Sequence, residues 1–164
     1  MSTAPYRVAL LDATHDRTTF RSGSAPLDEY FQERVTQDVR RRITACFVAL
    51  TDAQQVAGYY TMATASLLLN ELPPTLAKKL PRYPTVPTIR MGRLAIDQEH
   101  QGKGLGGALL ADGLDRAARS EIAAYAVLVD AKNSTAVDFY RHHGFIALPD
   151  SPQTLFLPLA ALPK

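Results

Sequence analysis

The chain has a single cysteine, Cys46, in 164 residues, so it can form no internal disulfide. Cys46 lies in the apolar run ACFVAL and reads as a buried core residue rather than a nucleophile. No apolar run approaches the ~20 residues of a membrane-spanning helix. The start, MSTAPYRVAL, lacks the basic stretch and apolar core of a signal peptide, so the expected location is cytoplasmic, with no membrane partner. The four histidines, His15, His100, His142 and His143, have no cysteine or acid partners at metal-site spacing, so no metal is expected. The pattern GxxxxGK(S/T) is missing, which leaves a P-loop unsupported. No GxSxG occurs, and no serine or cysteine has a neighbouring histidine to activate it.

What remains is an ordinary globular composition, 46% hydrophobic and 21% charged, with a net charge of only +2. The length suffices for one domain with a proper core, and without a repeat or linker residues 1–164 read as one α/β domain.

The most informative stretch is residues 90–120. An apolar run, Leu94-Ala95-Ile96, leads through a polar loop to Gly102, Gly104, Gly106 and Gly107. Beyond them Leu110, Gly113, Leu114, Ala117 and Ala118 repeat with helical spacing. Strand, loop, glycine turn and helix follow in that order. Glycines let the backbone approach a ligand closely, and free N–H groups at a helix start, with the positive end of its dipole, suit a phosphate. A glycine-containing turn that binds nothing is the plainer alternative.

Around this stretch the chain reads in order. Tyr6–Leu10 alternates as a strand. Ser24, as a cap, and Pro26 open a helix whose buried stripe is Leu27, Tyr30, Phe31, Val35 and Val39 and which ends in Arg40-Arg41-Arg42. That triplet, with Arg34 nearby, is either a helix C-terminus complementing the dipole or a patch for nucleic-acid phosphates. Ala45–Leu50 and Gln55–Ser66 form a predicted hairpin. Residues 72–87 hold five of the eleven prolines, a constrained loop with one short helix over Thr75–Leu80 and with Lys78, Lys79 and Arg82 adding positive charge. Thr88–Ile96 is the strand feeding the glycine turn, and Tyr125–Val129 is a second buried strand. The helix between them predicts a right-handed parallel unit. Thr135–His142 is a helix stopped by Gly144, and Phe145–Leu148 and Gln153–Leu157 are closing strands.

Gly102, Gly104 and Gly107 also spell GxGxxG, the dinucleotide fingerprint, with Asp130 as a candidate ribose acid. Two features oppose that reading. Five residues separate Ile96 from Gly102, and residues 43–66 read as a hairpin where βα units should repeat.

The segment Gln101-Gly102-Lys103-Gly104-Leu105-Gly106 resembles the Q/R-x-x-G-x-G/A signature of GNAT N-acetyltransferases. NSTAVDFYRHHGF, Asn133 to Phe145, is similar to that family's second motif, at the family's spacing of about thirty residues. The element order agrees, so the resemblance covers nearly the whole chain. It implies the GNAT fold, a mixed central sheet with helices on both faces, and acetyl-CoA as co-substrate without a metal. By the same resemblance the backbone N–H groups of Gly102, Lys103, Gly104, Leu105, Gly106 and Gly107 would hold the pyrophosphate, with Gln101 also among the cofactor-binding residues. Leu94, Ala95 and Ile96 would bind the pantetheine arm through their backbone, and Asn133 would contact the same arm. Tyr140 would protonate the leaving thiolate. Alternatively Tyr140 is a core aromatic; if Phe139 packs instead, Tyr140 is left free.

Transfer needs a neutral amine, and a lysine side chain of pKa ~10.4 usually needs a base. Family members acting on such amines often carry a glutamate on the strand before the glycine turn. Thr88–Ile96 carries no acid and instead offers Arg90 and Arg93, expected to face the active site. That favours an α-amine of pKa ~7.7–8 and a negatively charged substrate. A narrower resemblance agrees. Phe20-Arg21-Ser22-Gly23, Leu27-Asp28-Glu29-Tyr30-Phe31 with Gln37-Asp38, Gly58–Met62 and Gly92–Asp97 look like the acetyltransferase toxins of bacterial toxin–antitoxin pairs. Those toxins acetylate aminoacyl-tRNA. Arg40, Arg41, Arg42, Lys78, Lys79, Arg90 and Arg93 would then contact tRNA. The resemblance also implies a homodimer and a ribbon-helix-helix antitoxin. The alternatives are acetylation of a protein N-terminus or small amine, and a non-catalytic acyl-CoA-binding module.

Overall fold

The structure, a computed structural model, describes residues 5–162. Its strands are β1 (Arg7–Leu10), β2 (Ala45–Leu50), β3 (Val56–Leu68), β4 (Thr85–Ile96), β5 (Ala126–Asp130), β6 (Ile146–Leu148) and β7 (Ser151–Pro158). They form one seven-stranded sheet in the order β1-β2-β3-β4-β5-β7-β6. β1, β2 and β3 pair antiparallel, as do β5 with β7 and β7 with β6, whereas β4 and β5 run parallel. The sheet is therefore mixed, as expected, with the predicted hairpin and parallel unit in place. The crossover of that unit is helix α4 (Leu105–Arg119).

Contacts divide the chain into two compact units. One comprises residues up to Ala63 with Gly92–Gly113, the other Thr64–Met91 with residues from Leu114 onward. The first has an aromatic core. Phe31 stacks on Tyr59 with ring centroids 4.2 Å apart, and Phe20 meets both rings edge-on. Tyr59 donates its hydroxyl to the Leu27 carbonyl at 2.7 Å. Cys46 joins this core, and burial pushes its thiol up to about 12, so it is inert as read.

The predicted first helix is three pieces: α1 (Ala25–Glu29), a π-helical turn over Tyr30–Arg34, and α2 (Val35–Arg40). Its stripe turns inward as expected, with Tyr30, Phe31 and Val35 buried. Ser24 occupies the N-cap position, but its hydroxyl caps nothing. The nearby polar bonds go to buried Asp28, which accepts from Ser22 N and Ser22 Oγ at 2.9 and 2.6 Å.

In the second unit Leu67, Leu72, Val86, Ala126, Leu128, Leu148 and Phe156 form the core. Helix α3 is only Pro74–Ala77, shorter than the predicted Thr75–Leu80. Pro81 disfavours helical geometry at Leu80, which ends the segment early. β4 begins at Thr85, ahead of the predicted Thr88, and includes Pro87, whose carbonyl accepts from Tyr125 N at 2.8 Å. Proline lacks only the donor, so a position using its acceptor keeps it in the strand. Helix α5 is Ser134–His142.

Candidate active site

The glycine turn forms as read, between β4 and α4. Gly102 and Gly104 have φ of +77° and +80°, the left-handed region that glycine enters without penalty. A Cβ built on either would meet nothing within 4 Å, so the space over both is open to a ligand. The first α4 hydrogen bond runs from Ala108 N to Gly104 O at 3.1 Å. N–H groups in the first turn of a helix have no intrahelical acceptor and point outward from its positive end. Gly106 and Gly107 lie in that first turn and Leu105 is buried beneath it, while Lys103 is exposed. Leu109, Leu110, Leu114 and Ala117 complete the buried stripe; Ala118 of the predicted repeat is exposed.

The Gln101 side chain braces the start of this turn. Its side-chain amide donates to the Ile96 carbonyl at 2.9 Å and to the Ser22 carbonyl at 2.7 Å. Both amide hydrogens are thus spent bracing the loop rather than reaching for a ligand. Asp97, which sequence reasoning passed over, is the second brace. It is buried, accepts from Arg21 N and Glu99 N at 3.0 Å each, and its own N–H donates to Ala57 O at 2.8 Å. Gly58 on β3 was also missed. A Cβ there would lie 2.9 Å from Ile96 Cδ1 and 3.1 Å from both Ala95 O and Leu109 Cδ1. A glycine inside a strand pattern is the signal that marks such close approach. The β5 ladder pairs with Thr88–Met91, and Leu94, Ala95 and Ile96 lie beyond it.

The second motif folds around helix α5. Asn133 is its N-cap, accepting from Ala136 N through Oδ1 at 2.9 Å, so only its amide NH2 is left for a ligand. The far end is a Schellman closure. Phe145 N donates to Tyr140 O, Gly144 N to Arg141 O, and Gly144 has φ of +94°. The accompanying apolar contact is Tyr140 with Phe145, ring centroids 5.4 Å apart, and Phe139 meets Tyr140 edge-on at 5.2 Å. Of the two packings left open by the sequence, the one with Tyr140 inward is found: Tyr140 is only 8% exposed, whereas Phe139 is half-buried. Phe139 and Phe145 hold the ring, yet its hydroxyl has no hydrogen-bond partner among the described residues and is not sealed from solvent. Burial pushes that hydroxyl up to about 12.

The expected cations separate into two classes. Arg90 and Arg93 are each engaged by a partner within the fold. Arg90 is ion-paired to Asp130, whose other carboxylate oxygen accepts from Thr154 Oγ1 at 2.9 Å. Arg93 lies 3.4 Å from the centroid of the Tyr30 ring. Each arginine found a partner remote in sequence, which strand periodicity does not encode. By contrast Arg40, Arg41, Arg42, Lys78 and Lys79 are exposed, and no carboxylate pairs with them among the described residues. Arg34, the fourth member of the cluster, is paired with Glu29 at 3.1 Å. The triplet also closes a helix. Ile43 N donates to Asp38 O and Arg42 N to Val39 O, with Arg42 at φ +60° in the position where glycine is usual.

Comparison with known proteins gives the following. A family described as the acetyltransferase (GNAT) domain matches residues 13–155. A protein of Mycobacterium tuberculosis named tRNA-acetylating toxin is 35% identical over 156 residues, 94% of this chain and 90% of that protein. The structure of AtaT complexed with acetyl-methionyl-tRNAfMet superposes with a TM-score of 0.88 at 29% identity, covering 95% of this chain and 96% of AtaT. That of AtaTR bound with AcCoA gives 0.83 at 27% identity, with 96% and 95% covered.

Proposed function

This chain belongs to the GNAT family of acetyltransferases, and on that footing we propose that it moves the acetyl group of acetyl-CoA to the α-amine of an aminoacyl-tRNA, blocking translation. The observation that carries the donor half is the open glycine turn at the start of α4. The acceptor half is supported by the exposed, unpaired arginines at the end of α2 and by the relatives named above.

Acetyl-CoA supplies a thioester carbon activated for attack by an amine. The N–H groups of residues 102–107 would bind its phosphate oxygens, and the backbone of Leu94–Ile96 and the Asn133 amide would orient its arm. Tyr140 gives its Oη proton to the departing thiolate, and the proton lost by the attacking amine restores it. Because burial raises this hydroxyl, it stays protonated throughout the physiological range. An α-amine of pKa ~7.7–8 is partly neutral near pH 7 and needs no general base. β4 offers no acid, and Asp130 at the end of β5 is already bound to Arg90 and Thr154. Arg40, Arg41, Arg42, Lys78 and Lys79 would meet tRNA phosphates, with Arg93 and Arg90 as positioned contacts. The proposal includes the finer features of the toxin resemblance: one catalytic domain over 1–164, a homodimer in the cytoplasm, and a ribbon-helix-helix antitoxin.

The test is direct. The purified protein is given acetyl-CoA with charged tRNA, with peptides bearing free N-termini, or with small amines, and the products are read by mass spectrometry. N-acetylated aminoacyl ends and growth arrest on expression are expected. Preferential acetylation of peptides or small amines overturns the tRNA reading and leaves the acetyltransferase assignment standing.

A further inference from the structure

Beside helix α3 lies a groove of about 640 Å³, of whose lining the mechanism above uses only Lys78. Its floor is aliphatic, built from Leu68, Leu69, Leu72 and Pro84, and its rim carries Lys78 and Arg82. Among the described residues no acidic one lines it. Tyr83 stands at its edge, 70% exposed, with no hydrogen bond or ring contact to any described residue. Leu68 is 51% exposed in the same groove. A single exposed ring is ordinary, but an aliphatic groove with an aromatic at its edge and cations on its rim is the pattern of an interaction site. The ring is also presented stiffly. Pro81 and Pro84 flank the Arg82-Tyr83 pair, and Leu69 N donates to the Pro84 carbonyl at 3.0 Å.

We infer that Tyr83 is a stacking platform for an unpaired nucleotide of the RNA substrate, with Lys78 and Arg82 taking the adjoining phosphates. The inference rests on the aminoacyl-tRNA reading and deepens it by assigning a subsite to the single-stranded 3′ end, the part of a tRNA that carries the amino acid. Charge decides between occupants. A second copy of the chain docking isologously would set this cationic rim against its own image. A polyanion is complementary to it. An acidic peptide would satisfy the cations, but a flat ring fixed in solvent between two prolines matches the face of a base. Such stacking is indifferent to base identity and combines with a basic track along the backbone.

The chain contains no tryptophan, so Tyr83→Trp introduces a single fluorescent reporter. Binding is measured at fixed salt for the full chain and for Tyr83→Leu and Tyr83→Phe, with uncharged tRNA and with the same tRNA trimmed of its unpaired 3′ nucleotides. Tyr83→Leu weakens intact tRNA at least fivefold, Tyr83→Phe changes it less than twofold, and neither alters binding of the trimmed form. A short single-stranded RNA quenches the Tyr83→Trp fluorescence. Equal affinity of Tyr83→Leu and the unsubstituted chain for intact tRNA overturns the inference, as does quenching by a polyglutamate peptide but not by RNA. Failure of the unsubstituted chain to bind any tRNA would instead strike the acceptor reading itself, and this subsite with it.

Discussion

The Arg93 guanidinium is centred 3.4 Å from the middle of the Tyr30 ring, and Tyr30 donates its hydroxyl to Asp38 at 2.7 Å. The tyrosine is the first residue of the π-helical turn, and burial pushes its hydroxyl well above the usual phenol range. A neutral ring is therefore clamped beneath a cation, and the cation's direction is set by the ring. Lysine keeps the charge but lacks the planar guanidinium that stacks. Arg93→Lys should raise the KM for charged tRNA severalfold with the acetyl-CoA KM unchanged. Full activity in Arg93→Lys would show that charge alone matters at this position.

Tyr140→Phe removes the proposed proton donor and preserves the packing against Phe139 and Phe145. Acetyl-CoA binding should be unaltered in calorimetry, and turnover should drop by roughly 10²–10⁴, the range of a positioned acid. The pH profile is a second check. A hydroxyl raised to about 12 remains protonated, and so competent as an acid, at every lower pH. The rate should rise as the substrate amine loses its proton and show no falling limb from Tyr140 below about pH 11.

Arg42 holds a left-handed backbone that glycine adopts more easily. Arg42→Gly should relieve about 1 kcal/mol of strain and raise Tm by ~2–4 °C for a chain of this size. The same change should weaken tRNA binding and reduce the salt slope by about 1 if the side chain contacts a phosphate. Stability and function moving in opposite directions would identify strain retained for binding. A gain in stability with tRNA affinity unchanged would leave Arg42 as a helix end only.

Gly102→Ala and Gly104→Ala place a methyl into open space, so nothing in the fold is struck. Stability should fall by only about 1–2 kcal/mol from the backbone conformation. The KM for acetyl-CoA should rise tenfold or more because the methyl occupies the ligand's approach. A change in stability without one in KM would move the phosphate seat elsewhere.

The parts legible in the sequence were those governed by near neighbours. Positive-φ glycines and helical periodicity marked the turn at Gly102 and Gly104 and the stop at Gly144. The β2–β3 hairpin was visible because its strands are adjacent in sequence. Pairings decided by remote residues were not. β7 inserts between β5 and β6, and Asp130 captures Arg90 from forty residues away. Whether Phe139 or Tyr140 turns inward depended on Phe145, which the helix closure brings onto Tyr140. The π-helical turn has no periodic signature, because the stripe from Leu27 to Val39 fits an unbroken helix equally well.

Gln101 joins the end of β4 to Ser22, seventy-nine residues earlier, through one side-chain amide. The loop proposed to seat the donor is thus thermodynamically linked to the segment Phe20–Gly23. Occupancy of the glycine turn should slow amide hydrogen exchange at Arg21, whose N–H is held by Asp97 in the same braced loop. Substitutions in that early segment should register as changes in acetyl-CoA affinity, although nothing in it was read as touching acetyl-CoA.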